Sequence, residues 1–439
     1  MPAAVLPRET PRITKFTNCR LPIAGKLVEQ DLWIDSVSGT ILQDQRAFYD
    51  DRVCPDQVLN LGGRILAPGF IEVQINGAAG FDFSVPQPTK EDYDAGLRDV
   101  NRALVQMGIT SYLPTVTSQR KEVYAKVLPS LAPSGLLRCA EDGAESLGAH
   151  IEGPFLSPGK NGIHSPDVLI SADHGFQDLI NCYGAANICA DETSPNPLPV
   201  KLITAAPEVG VMLSLIPQLR AQGIVFSIGH SDASYEQALA AVDAGANMIT
   251  HLFNAMRPFY HRNPGIFGLL GQGETPHRPF YGLIADGFHL HPTTIQIAYH
   301  AHPHGAILVT DAMKLCGMPD GVYDWTNGDR IVKRGARLTL AGSDRLAGSS
   351  ATLIECVNNF RRWAGARTVD ALAAVTETPA RMLGVLGRKG TLAHGADADL
   401  VVLGETAAAA AEDAAGLGTL TVDQVWKFGV RVFDREMEE

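Results

Sequence analysis

The sequence predicts an α/β protein: a (β/α)8 TIM-like barrel carrying a small β-sandwich domain built from both ends of the chain. Three observations carry this expectation. The middle of the chain alternates short, continuous apolar runs with helical segments, and the runs number eight. Residues 1–63 and 386–439 hold strand-like runs instead, with no helix of convincing length in the first of them. The chain has 439 residues, 45% of them hydrophobic, whereas an α/β barrel takes about 250. The surplus is enough for a second, smaller unit, so the division reads 1–63, 64–385 and 386–439, with the barrel in the middle.

Taken in order, a strand-like run covers 27–34. The barrel strands are then expected at 64–75, 110–115, 146–152, 201–205, 224–229, 248–251, 281–285 and 306–310. Such runs suit parallel strands covered on both faces. Among the helices, 234–244 has the clearest apolar face, marked by Tyr235, Ala238, Leu239 and Val242. The polar stretch 187–199 holds three prolines and reads as a surface loop. The alanine-dominated stretch 407–418 reads as a short helix or a loop. Further strand runs follow the barrel at 399–403 and 424–432.

The formal net charge is −12 and the pI near 5.5, so a basic nucleic-acid footprint is not expected. An anionic ligand would need a local positive pocket. The seven cysteines are odd in number and form no C-x-x-C pair, which favours reduced thiols over a disulfide framework or a cysteine zinc site. No continuous apolar stretch suggests a secretory signal or a membrane span. The cytosol is the expected location.

Barrels of this kind carry their chemistry at the C-terminal ends of the strands, where the informative polar residues of this chain fall. His150 and Glu152 lie two apart on one strand and share a face. A lone H-x-E is ordinarily just a hydrogen-bonded pair. However, His230 and His251 end the next informative strands, and one carboxylate with two imidazoles is a common catalytic zinc set. Glu152, His230 and His251 are therefore the candidate metal ligands, with His150 as a near neighbour. Asp311 ends the last strand; it could cap a helix, but beside such a metal set it reads as a general base. His164, Asn254, Arg262, Asp286 and His289 cluster at the same end, and Arg262 is the best fork for an anion.

The segments P-G-F-I-E-V-Q-I-N-G, H-I-E-G-P-F, G-I-H-S-P, S-I-G-H-S-D-A, T-H-L-F-N-A-M, A-D-G-F-H, V-T-D-A and L-A-G-S-S run in this order. Together they resemble the N-acetylglucosamine-6-phosphate deacetylase family of the amidohydrolase superfamily. The resemblance implies hydrolysis of the acetamide of a phosphorylated amino sugar. It implies Glu152, His230 and His251 as metal ligands, Asp311 as acid and base, and His164 as the group polarising the carbonyl. It also implies substrate contacts from Ile163, Asn254, Ala255 and Asp286, phosphate contacts from Arg262 and His289, and a closing loop at Leu346, Ala347, Gly348 and Ser349. The family is homodimeric, which implies that Arg262 reaches the partner's site.

The superfamily's usual first-strand H-x-H is here Gln74 and Asn76. Amides are poor zinc ligands, so one divalent ion per subunit is expected, zinc by preference, with Fe2+, Co2+ or Mn2+ compatible. Gln74 and Asn76 then serve as supports beneath the site. The galactosamine epimer stays open as a substrate. A cyclic-amide hydrolase is disfavoured because the fourth strand, L-I-T-A-A-P-E, offers no lysine for carboxylation. A non-catalytic scaffold is disfavoured because the ligand set is complete.

Overall fold

Phe70–Ile75, the strand that opens the barrel, is buried at every residue, as a parallel strand between an inner core and an outer layer of helices should be. The computed structural model describes residues 11–43, 54–191, 196–273, 278–325, 328–406 and 417–438. Its centre is a parallel sheet whose barrel strands are β1 (Phe70–Ile75), β2 (Ile109–Val116), β3 (Ala149–Glu152), β4 (Val200–Ala205), β5 (Val225–Ile228), β6 (Met248–Ile249), β7 (Phe280–Ile284) and β8 (Ala306–Val309). Each pairs in parallel with the next. Ile71, Val73, Leu113, Leu202, Met248, Ile284, Ile307 and Val309 come together from six of these strands and fill the barrel interior.

The helices that cover the barrel start where the sequence provides caps. Tyr235–Ala244, expected at 234–244, opens on a capping box between Ser234 and Gln237 and ends on the left-handed Gly245. Leu353–Ala364 opens on a second box between Thr352 and Glu355.

The small domain is a sandwich of two sheets. One holds Thr40–Leu42, Leu32–Asp35, Ile13–Thr17 and Gln57–Asn60; the other runs Val430–Asp434, Leu420–Lys427, Leu400–Glu405, Ile65–Pro68, Arg20–Ile23 and Lys26–Glu29. Phe16, Leu21, Ile34, Leu66, Leu400, Val402 and Trp426 pack between them. Leu66 pairs with Val402, so the two ends of the chain share one sheet.

Beneath this sandwich lies a buried charge cluster. Lys427 Nζ meets Glu145 Oε1 at 2.7 Å, Asp399 Oδ2 at 2.7 Å and the Thr110 carbonyl at 3.0 Å. Lys389 Nζ pairs with Glu145, with Asp397 at 2.8 Å and with Asp399 at 2.6 Å, and Arg138 reaches Asp397 at 2.7 Å. Glu145 and Thr110 belong to the barrel, while Asp399 and Lys427 belong to the sandwich. Glu145, Asp397 and Asp399 lie close enough together to suggest a metal site, but two ammonium groups already occupy their oxygens.

Three expectations need correction. The run 64–75 is two strands in different sheets, Ile65–Pro68 in the sandwich and Phe70–Ile75 in the barrel. They part at Gly69, where a Cβ would lie 2.2 Å from Thr110 Oγ1. The run 27–34 is likewise two strands, Lys26–Glu29 and Leu32–Asp35, in opposite sheets. Third, Leu346–Ser349 is a strand and not a loop. It closes an antiparallel meander of Gly321–Asp324, Arg330–Arg334, Arg337–Leu340 and Leu346–Ser349, packed on Leu315, Ile331 and Leu338 and inserted between β8 and the following helix. Of the polar stretch 187–199, residues 192–195 lie outside the described residues, as do 407–416 of the alanine-rich stretch. All seven cysteines are free thiols.

Candidate metal centre and active site

Three of the polar groups at the barrel mouth share one backbone device. His230, His251 and Asp311 each stand two residues beyond the last residue of β5, β6 and β8. Each has a left-handed backbone, with φ of 49°, 25° and 46°. Non-glycine residues pay strain of roughly 1–3 kcal/mol for such conformations. Here the sharp turn follows directly on the rigid strand, and it brings the three side chains into one cluster.

Glu152, the last residue of β3, completes that cluster. Its Oε1 lies 3.1 Å from His230 Nε2 and 2.9 Å from His251 Nε2, and the two nitrogens are 3.0 Å apart. All three residues are buried. Burial alone would raise the Glu152 carboxyl, yet the two imidazoles hold it well below the ordinary range. His230 Nδ1 lies 2.7 Å from the Lys160 carbonyl, which can only accept, so the ring proton sits on Nδ1. With Nδ1 so engaged, Nε2 is the ring atom left to face the Glu152 oxygen and His251 Nε2, an arrangement suited to a cation among the three atoms. Two imidazoles and one carboxylate form a donor set suited to a divalent transition metal.

Gln74 and Asn76 both work as donors beneath this cluster. Gln74 Nε2 donates to Glu152 Oε1 at 3.1 Å, and Asn76 Nδ2 donates to Asp311 Oδ1 at 2.8 Å. One amide therefore orients a candidate ligand and the other the candidate base. His150 sits deeper, with Nε2 2.7 Å from Thr204 Oγ1 and Nδ1 3.1 Å from the Val73 carbonyl. Burial lowers its pKa to about 4, which makes it a neutral packing group of the barrel interior.

Asp311 is half-buried, and desolvation followed by the nearby Glu152 charge raises its carboxyl to about 6. A base in that range is suited to moving protons near neutral pH. His164 Nδ1 accepts from the Ser118 backbone N–H at 3.1 Å and lies 2.8 Å from Ser118 Oγ. Burial lowers its pKa to about 4. The neutral ring then carries its proton on Nε2, which lies 3.8 Å from Glu152 Oε2 and can donate toward the metal cluster.

The remaining candidates surround this core. His289 Nδ1 meets Asp286 Oδ2 at 2.7 Å, and Asp286 Oδ1 accepts the backbone N–H groups of Phe288 and His289. Asp286 thus acts within its own loop and holds His289. Burial would make His289 less basic, but the Asp286 carboxylate outweighs it and raises the ring above its ordinary value. Asn254 Nδ2 donates to the His251 carbonyl at 3.3 Å, and Ala255 next to it is left-handed. Ile163 is 73% exposed. Arg262 is exposed and forms no ion pair among the described residues, so its guanidinium is available to an anion. Leu346–Ser349 is tied to the Asp311 loop by a bridge between Ala312 and Ser349 and by the bond from Met313 N–H to the Ser349 carbonyl, 2.9 Å.

Sequence reasoning missed two residues. Ser118 sets the tautomer of His164, and Glu72 bonds two strands of the barrel. Ser118 follows β2 in T-V-T-S, so position just past a strand end was the one signal for it, whereas Glu72 lies inside β1 and offered only its charge within an apolar run.

The model of the amidohydrolase family matches residues 65–432. The mouse N-acetylglucosamine-6-phosphate deacetylase is 43% identical over 400 residues, spanning 90% of this chain and 92% of the mouse protein. The crystal structure of the Pasteurella multocida enzyme of the same name superposes with a TM-score of 0.75 at 24% identity, covering 95% of this chain and 99% of that one. A mutant of the Mycobacterium smegmatis enzyme, solved in complex with N-acetyl-D-glucosamine-6-phosphate, gives a TM-score of 0.71 at 28% identity over 96% of this chain and 99% of that one. A metal-type cluster at the mouth of a parallel barrel, a family match over most of the chain and full-length relatives of one name lead to one conclusion: this chain belongs to the amidohydrolase family.

Proposed function

We propose that this chain hydrolyses the acetamide of N-acetyl-D-glucosamine 6-phosphate to D-glucosamine 6-phosphate and acetate. The observation that carries this reading is the convergence of Glu152 Oε1, His230 Nε2 and His251 Nε2 within 3.1 Å of one another, with Asp311 and His164 in the same pocket. The substrate class is that of the full-length relatives.

Glu152, His230 and His251 hold one divalent ion per subunit, by preference zinc. When bound, it supplies the Lewis acidity that makes water a nucleophile near neutral pH and polarises the acetamide carbonyl. Asp311 takes the proton from the attacking water as the oxygen–carbon bond forms. The Nε2–H of His164 donates to the oxygen on which negative charge develops. Protonated Asp311 then returns its proton to the leaving nitrogen as the carbon–nitrogen bond breaks, and the amine and acetate separate.

His289, whose cationic form the Asp286 carboxylate favours, and Arg262 bind the phosphate. Ile163, Asn254, Ala255 and the strand Leu346–Ser349 line the sugar. In a homodimer, Arg262 would serve the partner's pocket, and its exposure without an ion pair supports that use. Among the described residues, no helix is long and apolar enough to cross a membrane, in keeping with work on a cytosolic metabolite. Among the described residues, the two ends of the chain, up to Pro68 and from residue 386, act as one β unit flanking the catalytic barrel that starts at Phe70.

The test is acetate release from N-acetylglucosamine 6-phosphate, with and without chelator, beside the galactosamine epimer and the unphosphorylated sugar. Fast, chelator-sensitive release with preference for the phosphorylated glucosamine form is expected. No release from metal-loaded protein, or equal kcat/KM with and without the phosphate, would refute the reading.

A further inference from the structure

The barrel does not close by a simple ladder between its first and last strands. β1 pairs with β2, and β8 with β7, but no run of paired residues joins β1 to β8. At the lower end of this seam the chain wedges in another segment: Ile71 N–H donates to the Val375 carbonyl at 2.8 Å and Leu308 N–H to the Ala374 carbonyl at 3.0 Å. At the upper end β1 and the chain beyond β8 meet directly. Asp311 N–H donates to the Gln74 carbonyl at 2.9 Å and Asn76 N–H to the Ala312 carbonyl at 2.8 Å.

Between these two zones stands Glu72. It is fully buried. One carboxyl oxygen accepts the Gln74 N–H at 3.0 Å and the other accepts the Thr310 N–H at 3.0 Å. Its two partners are not arbitrary. Gln74 is the residue whose side chain orients Glu152, and Thr310 immediately precedes the left-handed Asp311. One carboxyl group therefore fixes the backbone behind a candidate metal ligand and behind the candidate base at once.

We propose that Glu72 is a positioning residue for the reaction assigned above: its carboxyl bridges β1 and the end of β8 and so sets the distance and orientation between Asp311 and the Glu152 cluster. This rests on the deacetylase reading. An apolar residue at position 72 would leave two buried N–H groups without partners, and a glutamine would satisfy one and set an amide NH2 against the other. Displacements of about 1 Å in such a site cost on the order of 100-fold in rate.

The experiment compares wild type with Glu72→Gln. Burial pushes the Glu72 carboxyl up to about 8, so near neutral pH Glu72→Gln alters the hydrogen bonding at this position more than its charge. The expected result is a kcat lower by about 10- to 100-fold, with KM for the sugar phosphate and bound metal per chain both unchanged. In an Asp311→Asn background the same substitution should lower the residual rate no further, because the two act through one group. Amide hydrogen exchange at Gln74 and Thr310 should quicken. If Glu72→Gln does not fold, Glu72→Asp, whose carboxylate falls one methylene short, carries the same expectations.

A folded variant with wild-type kcat, or losses that add in full to those of Asp311→Asn, would overturn the proposal. Unchanged exchange at Gln74 and Thr310 would overturn it as well, and that readout needs no turnover. Failure of the deacetylase reading shows separately, as a metal-loaded wild type that releases no acetate.

Discussion

Gln74 donates its side-chain amide to Glu152 Oε1 across 3.1 Å of the barrel mouth. The first-strand position at which the resemblance implies a histidine is therefore occupied by a group that orients a candidate ligand. Asn76 does the same for Asp311 at 2.8 Å. The expected consequence is one tight divalent ion per chain. Metal analysis of protein purified without added metal checks it, and two tightly held ions would contradict it. Gln74→Ala should weaken that ion's binding by about 10- to 100-fold without abolishing it.

Asp311→Asn preserves the shape of the residue but removes its basicity. Metal content and substrate affinity should persist, while kcat falls by about 100- to 10,000-fold. Steady-state kinetics beside equilibrium binding of the sugar phosphate makes the distinction. A near-normal rate would remove Asp311 from its role.

His289 gives a pH dependence whose sign is fixed. Its ring is raised above the ordinary value of about 6.5 by Asp286, although burial opposes the shift. Below that raised value it is cationic and binds phosphate; as pH rises through it, the charge is lost. KM for the phosphorylated sugar should therefore climb on the alkaline side. Asp286→Asn should bring that climb to lower pH. The unphosphorylated sugar should show neither effect in the same titration.

The buried cluster under the sandwich governs stability more than catalysis. Lys427→Met would strand Glu145 and Asp399 without one of their two ammonium partners, a loss of about 3–5 kcal/mol when a buried pair is broken. Urea denaturation should report it, with KM unchanged in the protein that remains folded. Against the upward push of burial, Lys389 and Lys427 pull Glu145 and Asp399 below their ordinary values. Their contribution is therefore complete above about pH 4 and lost as pH falls toward the depressed values. The acid limb of the stability curve should flatten in the variant.

Much of this was legible in the sequence because the barrel strands are short, continuous and apolar. The Glu152, His230 and His251 cluster was legible because metal-capable groups stand at three strand ends, those of β3, β5 and β6. The run 64–75 hid two strands because apolar residues continue on both sides of Pro68-Gly69, and only the space around Gly69 reveals the change of sheet. The meander at 321–349 escaped notice because its strands are half exposed and rich in charge, as in Arg330–Arg334. Ser118 and Glu72 were invisible for another reason. Their meaning lies in partners 46 and 238 positions away, which local spacing cannot disclose.

The shared sheet of the sandwich has a consequence for biosynthesis. Ile65–Pro68 leaves the ribosome early, but the strand it pairs with, Leu400–Glu405, emerges only after the whole barrel has been made. Throughout that interval one edge of Ile65–Pro68 lacks its native partner, so the nascent chain carries an exposed strand edge that invites wrong partners. Lys427, which pins the sandwich to the barrel, arrives later still. The barrel must tolerate waiting, and completion of the molecule is deferred until the strand Leu420–Lys427 has been made.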